Sequence, residues 1–474
     1  MEYDVVVGLE IHLELKTKTK MFSSAPYAFK DAANTDVSAI DLAHPGTLPC
    51  VNKEAVKKAI EACTALNLTI DPLIRFDRKN YYYSDLPKGY QITQQFHPIG
   101  RNGYIEIFVD GQYKKIRINR IHMEEDTAKQ FHLFDESLID YNRAGVPLIE
   151  LVSEPDMASG QEAALYLEKL RQTLDYLEVS DVKMEEGSMR CDVNVSIKPK
   201  GSEVFGTKVE IKNLNSINNV KVAIDYETKR QQNCIENGEE IVQETRRFDE
   251  KTQTTISMRK KEGSVDYKYF PEPNIFPIRL SAEFIKNVQD NMPELPDVKF
   301  KRYVDQFNLG EYDANVIIAN KALCAYFDEI MTNAKNAKLV ANLLTSELAG
   351  ILTKNNLSFE NNPVSAVNFA ELVSMIDKGE VSSKQAKEIL ALMLNGDKPH
   401  DIASAKGMQQ VSDEGAILSI VEAVLNDNPQ SIIDFKNGKD RALGFLVGQV
   451  MKRSKGQANP KMASELVSKE LAKR

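Results

Sequence analysis

MRCDVNVSI, residues 189–197, alternates strictly: Cys191, Val193 and Val195 fall on one face of an extended chain, Arg190, Asp192 and Asn194 on the other. The same period of two recurs in VGLEIHLEL (7–15), where Leu9, Ile11, Leu13 and Leu15 oppose Glu10, His12 and Glu14. It recurs again in TKVEIKNL (207–214), where Val209 and Ile211 oppose Lys208, Glu210 and Lys212. Three strands thus share an apolar underside and a charged upper side, which predicts a sheet packed on one face only. A wet face alone does this routinely. The residue types argue for more, because His, Asp, Glu, Arg and Asn are metal and anion binders, and Asp and Glu form strands poorly.

Glu10, Asp192 and Glu210 would repel one another if these strands were neighbours, so a positive group is expected among them. Lys212, Arg190 and Lys208 can serve, but a hard dication is the better candidate. HMEED (122–126) adds Glu124, Glu125 and Asp126 at a strand end. Oxygen-rich donors with one His suit Mg²⁺ or Mn²⁺ better than Zn²⁺, and an open Mg²⁺ site implies a phosphorylated partner. Neither a P-loop nor a Rossmann glycine motif is present. The segment KNYYYSDLPKGYQITQQ (79–95) is the candidate phosphate holder: Lys79 and Lys88 carry charge, Gly89 allows close approach, and Tyr81, Tyr83 and Tyr90 offer rings and hydroxyls. It reads equally well as an aromatic hairpin closed by a Pro-Lys-Gly turn.

The 474 residues exceed one ordinary core and suggest two to four domains. With 42% hydrophobic and 27% charged residues the composition is that of a globular protein rather than a disordered one. MEYDVVVGLEIHLEL carries acids where a signal peptide carries lysines, and no apolar run approaches the ~20 residues of a membrane span, so a cytoplasmic location is expected. Five scattered cysteines without a C-x-x-C pair argue against a disulfide framework and a zinc knuckle.

Alternating segments and the amphipathic helices at 52–68 and 160–179 fill the first 293 residues. Prolines cluster in YFPEPNIFPI (269–278) and NMPELPDV (291–298), placing a boundary near 294. Helical periodicity dominates afterwards. The expected class is α+β: a mixed, largely antiparallel sheet head (1–293), a helical domain (294–405) and a small helical tail (406–474). The net charge of −9 hides an asymmetry, since seven Lys and three Arg against Asp440, Glu465 and Glu470 give 435–474 a balance of +7. Asn459-Pro460 predicts an N-cap and first-turn proline for a closing helix.

Together VVGLEIHLELKTKTKMFS, NYYYSDLPKGYQITQ, HMEEDTAK, DYNRAGVPLIELVSEPDM, MRCDVNVSI, KVEIKNLNS and ETRRFD closely resemble the GatB family, the B subunit of the tRNA-dependent aspartyl/glutamyl amidotransferase. The likeness runs through the whole chain, with GFLVGQVMKRSKGQANP resembling the YqeY-type module at its end. It implies a cradle-fold head and a kinase-like ligase component working in a heterotrimer with an amidase, the A subunit, and a small C subunit. ATP and Mg²⁺ would be used to phosphorylate Glu on misacylated tRNA(Gln) or Asp on misacylated tRNA(Asn), and ammonia from glutamine would then displace the phosphate. The resemblance assigns metal binding to Glu10, His12, Glu124, Glu125, Asp192 and Glu210. It implies catalytic roles for Lys79, Lys88, Arg190 and Lys212, and the expected nucleotide contacts are Tyr81, Tyr83, Ser84, Gly89 and Tyr90 of the phosphate-holder segment with Asn194. Lys452, Arg453 and Lys455 of the basic tail would meet tRNA phosphates. Two other readings are a stand-alone metal-dependent phosphohydrolase and a non-catalytic tRNA-binding scaffold.

Overall fold

The alternation read at both ends of the head is realised as two long antiparallel neighbours, Tyr3–Glu14 and Met189–Pro199. The computed structural model describes residues 2–27, 32–260, 266–408, 414–436, 441–454 and 458–473. The chain divides into two compact units, Met1–Pro296 and Asp297–Arg474. In the first, the strands in chain order are β1 (Tyr3–Glu14), β2 (Thr69–Ile70), β3 (Leu73–Ile74), β4 (Asp77–Asn80), β5 (Tyr90–Thr93), β6 (Gly100–Val109), β7 (Gln112–Glu125) and β8 (Lys129–His132). There follow β9 (Ser137–Asp140), β10 (Pro147–Ser153), β11 (Met189–Pro199), β12 (Val209–Lys212), β13 (Glu244–Asp249), β14 (Thr254–Lys260), β15 (Phe270–Pro271) and β16 (Ile278–Arg279).

Among the described residues a nine-stranded sheet runs β14-β13-β12-β11-β1-β10-β7-β6-β2. Within it β12 and β13 are parallel and the other neighbours antiparallel, the mixed but largely antiparallel sheet expected for an α+β protein. The apolar face is covered by helices α1 (Lys53–Ala65), α2 (Gly160–Tyr176) and α3 (Ile217–Glu236). Asn52, Ser159 and Ser216 start them by accepting backbone N–H bonds from the first turn. Leu9, Ile11, Leu13, Val193 and Val195 are 0–1% exposed and share one core with Ala59, Ile60, Leu167, Leu170 and Ile224 of those helices. With the underside covered, the charged side chains stand on the opposite face. β5, paired with β4, approaches that face near the end of β7: the Thr93 hydroxyl donates to Glu124 at 3.2 Å.

The second unit is helical among its described residues. Its last helix, Pro460–Lys473, begins where sequence placed it, with Asn459 Oδ1 accepting from the N–H of Lys461 (3.0 Å) and Met462 (3.2 Å). Ala463, Leu466, Val467 and Leu471 of this helix are buried in a core shared with Ile417, Val421 and Leu446. Cys63, Cys191 and Cys324 are buried and unpaired. Among the described residues no helix is long and apolar enough to cross a membrane.

Ile11 sits at the centre of the covered face with no exposure. Ile11→Ala is expected to destabilise the chain by about 2–5 kcal/mol, a transfer term plus a cavity term, seen as a lowered guanidinium unfolding midpoint. A midpoint equal to that of the parent chain would place Ile11 outside the core.

Candidate active site

Register builds the site. Directly opposed residues of antiparallel neighbours project to the same face. His122 on β7 opposes Glu150 on β10, Glu150 opposes His12 on β1, and His12 opposes Arg190 on β11. One step along, Glu10 opposes Asp192, and Asn194 opposes Glu210 on β12. A band of ionisable groups therefore crosses the sheet. His12 Nε2 lies 3.3 Å from Glu150, 3.8 Å from Glu124 and 3.9 Å from Glu10. His122 Nε2 lies 3.3 Å from both Glu124 and Glu150.

These groups are withdrawn from water, with His122, Glu124 and Glu150 only 4%, 3% and 9% exposed. Burial works against the imidazolium of His122, but Glu150 and Glu124 outweigh it and push His122 up to about 9. His12 is raised by Glu150 and Glu124 against the same burial penalty. Burial opposes ionisation of Glu150, yet the two histidines hold its carboxyl well below the usual range. Glu10 moves up, first through burial and then through the charge of Glu150. The three carboxylates demand positive charge between them. Imidazolium supplies it, and so does a dication bound to neutral imidazoles.

The donor set fits a divalent ion. Glu10, His12 and Glu150 offer ligand atoms within 4.8 Å of one another, as do His122, Glu124 and Glu150, so Glu150 belongs to both groups. His122 Nδ1 is buried without a hydrogen-bond partner. Three carboxylates keep the set hard and oxygen-rich, while the second imidazole favours Mn²⁺ alongside Mg²⁺.

The expected dication among Glu10, Asp192 and Glu210 meets a different arrangement. Lys212 Nζ lies 2.5 Å from Asp192 and 3.5 Å from Glu210, which also accepts from Thr245 at 2.8 Å. A lysine therefore neutralises that end of the band, and the metal-competent groups lie over β1, β10 and β7. Lys208 stands outside β12 and is exposed. Glu125 lies apart from the cluster, its oxygens 2.5 and 2.6 Å from Lys88 Nζ and one of them accepting the Ile92 N–H at 3.0 Å. Arg190 donates to Asp126 at 2.6 Å, which Arg143 also approaches at 3.7 Å. Both arginines hold Asp126 below its ordinary range against the effect of burial. The Nε of Arg190 is buried without a partner.

Two cavities flank Arg190 and Asp192. One of about 240 Å³ is lined by His12, Glu124, Lys79 and Tyr81 as well. The other, of about 790 Å³, adds Glu14, Arg143, Lys212 and Asn215 and has the size of a small-molecule site. The 81–89 loop is the aromatic hairpin, closed by Gly89 at φ +74° between β4 and β5. It brings Lys79 and Tyr81 to the smaller cavity, while Tyr83 and Ser84 stay exposed and Tyr90 lies under the Arg78 guanidinium at 4.0 Å. Asn194 opposes Gly8 and Glu210 and does not line either cavity. In the second unit, Lys452 and Arg453 end the helix Arg441–Arg453, with Arg453 paired to Asp427 at 2.5 Å. Lys455 lies outside the described residues.

Sequence reasoning passed over His122 and Glu150 as site residues. Glu150 was visible as a lone acid in the apolar run PLIELVS (147–153), and His122 as the residue two before Glu124, hence on the same strand face.

A family model described as the GatB/GatE catalytic domain matches residues 5–286, and one described as a GatB domain matches residues 325–471. Curated relatives from Lysinibacillus sphaericus, Geobacillus kaustophilus and Staphylococcus carnosus are each 50% identical to the chain, with 100% of both sequences covered. Each of them is named as the B subunit of an aspartyl/glutamyl-tRNA(Asn/Gln) amidotransferase.

Because Glu150 is shared by both ligand groups, Glu150→Gln is expected to weaken Mn²⁺ binding at least about tenfold, since losing even a group that only supports a ligand costs that much, as read by electron paramagnetic resonance titration. Unaltered Mn²⁺ affinity would remove these groups as metal ligands.

Proposed function

This chain belongs to the GatB family, and from that premise we propose that it is the B subunit of an aspartyl/glutamyl-tRNA(Asn/Gln) amidotransferase, a ligase that takes its amido nitrogen from glutamine. Its substrates are ATP and Glu on tRNA(Gln) or Asp on tRNA(Asn), and its partners are an amidase, the A subunit, and a small C subunit. The observation that supports this reading is the meeting of Glu10, His12, Glu124 and Glu150 with Arg190, Asp192 and Lys212 on one sheet face, with Lys79 of β4 lining the smaller of the two cavities beside it. Full-length relatives named as one component of a larger enzyme favour neither a stand-alone phosphohydrolase nor a scaffold.

The chemistry needs positioning and charge rather than a strong base. The side-chain carboxylate of the esterified Glu or Asp is already ionised at neutral pH and attacks the γ-phosphorus of ATP, releasing ADP and forming an acyl phosphate. Ammonia then adds to the acyl carbon and inorganic phosphate leaves. His12, Glu10, Glu124 and Glu150 would hold a Mg²⁺ ion, which would supply charge neutralisation for the phosphate oxygens. Lys79 offers ammonium protons to the transferring phosphoryl group. Arg190, anchored at one end by Asp126, turns the rest of its guanidinium toward an incoming carboxylate. Lys212 is oriented by Asp192, so loss of Asp192 frees the lysine and uncovers Glu10. Lys88 and Glu125 pin β5 to the end of β7 and keep the hairpin over the site. Tyr81 borders the phosphate pocket, while Tyr83, Ser84, Gly89, Tyr90 and Asn194 are proposed as outlying nucleotide contacts. The tail from residue 406 contacts tRNA phosphates through Lys452, Arg453 and Lys455.

Asp192→Ala in the assembled enzyme is expected to lower transamidation by at least about a hundredfold, the scale of losing a charged group that acts in the transition state, while tRNA affinity stays unchanged. Near-normal transamidation by this variant would favour the scaffold reading instead.

A further inference from the structure

We propose that Tyr267 is the positioning residue for Lys79, its ring face, with that of Tyr81, holding the ammonium over the phosphate pocket without neutralising it. The proposal rests on the role given to Lys79 above and names what makes that role physically possible.

The four cations of the site are held in two ways. Lys88 is engaged by Glu125 at 2.5 Å, Lys212 by Asp192 at 2.5 Å and Arg190 by Asp126 at 2.6 Å. Lys79 forms no ion pair among the described residues, and its Nζ instead lies 4.8 Å from the ring centroid of Tyr267 and 5.7 Å from that of Tyr81. The two rings stand 6.0 Å apart at 73°, which makes an aromatic corner around the ammonium. A carboxylate would satisfy the ammonium protons and cancel its charge. An aromatic face attracts the cation through its quadrupole and takes neither. Lys79 thus keeps its charge and its donors for a phosphate arriving in the cavity that it lines with His12 and Glu124.

Tyr267 is itself fixed by backbone. The N–H of Asn80, the residue after Lys79, donates to the Tyr267 carbonyl at 3.0 Å, and the Asn80 side chain donates to the Lys268 carbonyl at 2.8 Å. Phe270 then pairs with Arg78, tying both sides of Lys79 to the segment 267–270. Lys268 adopts φ +46°, a left-handed conformation that non-glycine residues rarely take. It sits between Tyr267 and Tyr269, whose rings are 5.9 Å apart at 67°. Tyr269 leans in turn on Phe96, at 6.1 Å.

The test uses the assembled complex and measures ADP release that depends on misacylated tRNA. Tyr267→Leu, or Tyr267→Met should the branched variant not assemble, is expected to lower kcat roughly 3–30-fold, the span of a desolvated cation–π contact. The KM for misacylated tRNA should stay within about twofold, and Tyr267→Phe, which keeps the ring face, should retain parental kcat within about twofold. In a Lys79→Ala background the Tyr267→Leu change should add no further loss, because the partner is already gone. Equal impairment of the Phe and Leu variants, parental turnover by the Leu variant, or an undiminished loss in the Lys79→Ala background would each overturn the proposal. Parental turnover by Lys79→Ala alone would overturn the role of Lys79 and this inference with it; a strong Lys79→Ala defect beside a neutral Tyr267→Leu overturns this inference only.

Discussion

Buried like charges must be compensated, and the head of this protein is arranged around that constraint. Glu10, Glu124 and Glu150 all approach His12 within 3.9 Å. Two unit charges at 4 Å repel by about 4 kcal/mol at the effective dielectric of such sites. A sheet that brought only carboxylates together would have to protonate some of them or bear that repulsion. Imidazoles at His12 and His122, guanidinium at Arg190 and ammonium at Lys212 make the arrangement stable.

The apolar face secures this arrangement from beneath. Leu9, Ile11 and Leu13 are locked under α1, α2 and α3, and a register slip of one residue would carry them to water and carry Glu10 and His12 into the core. Hydrophobic burial therefore sets where the charges stand, and the charges in turn choose what can bind. The pairing pattern separates two kinds of cation. Lys88, Arg190 and Lys212 are tied to carboxylates, whereas Lys79 is cradled by rings and keeps its electrostatic capacity.

Much of this was legible because a strand has period two. Glu10, His12, Arg190 and Asp192 share a face by arithmetic, and the structure adds only that β1 and β11 are neighbours. The Asn459-Pro460 helix start is local chemistry and was equally readable. What escaped were residues whose meaning depends on non-local pairing. Glu150 sits in a run that looks like buried core until β10 is placed between β1 and β7. Lys212 was one candidate among several until its ammonium was seen bridging Asp192 and Glu210. Tyr267 lies beside a proline cluster that reads as a linker, and its relation to Lys79 arises from pairing across nearly two hundred residues of chain, a separation no local pattern encodes.

In the proposed reaction this pocket places phosphate on an amino acid while it is esterified to tRNA. The most direct measurement mixes the assembled complex, Mg²⁺, ATP labelled at the γ-phosphate and Glu-tRNA(Gln) or Asp-tRNA(Asn), with glutamine withheld, and traps the product with hydroxylamine. Labelled phosphate on the aminoacyl group and a hydroxamate at the side-chain carboxyl after trapping are expected, both dependent on ATP and on misacylated tRNA. Nucleotide hydrolysis at the same rate without tRNA, with no label on the aminoacyl group, would contradict it.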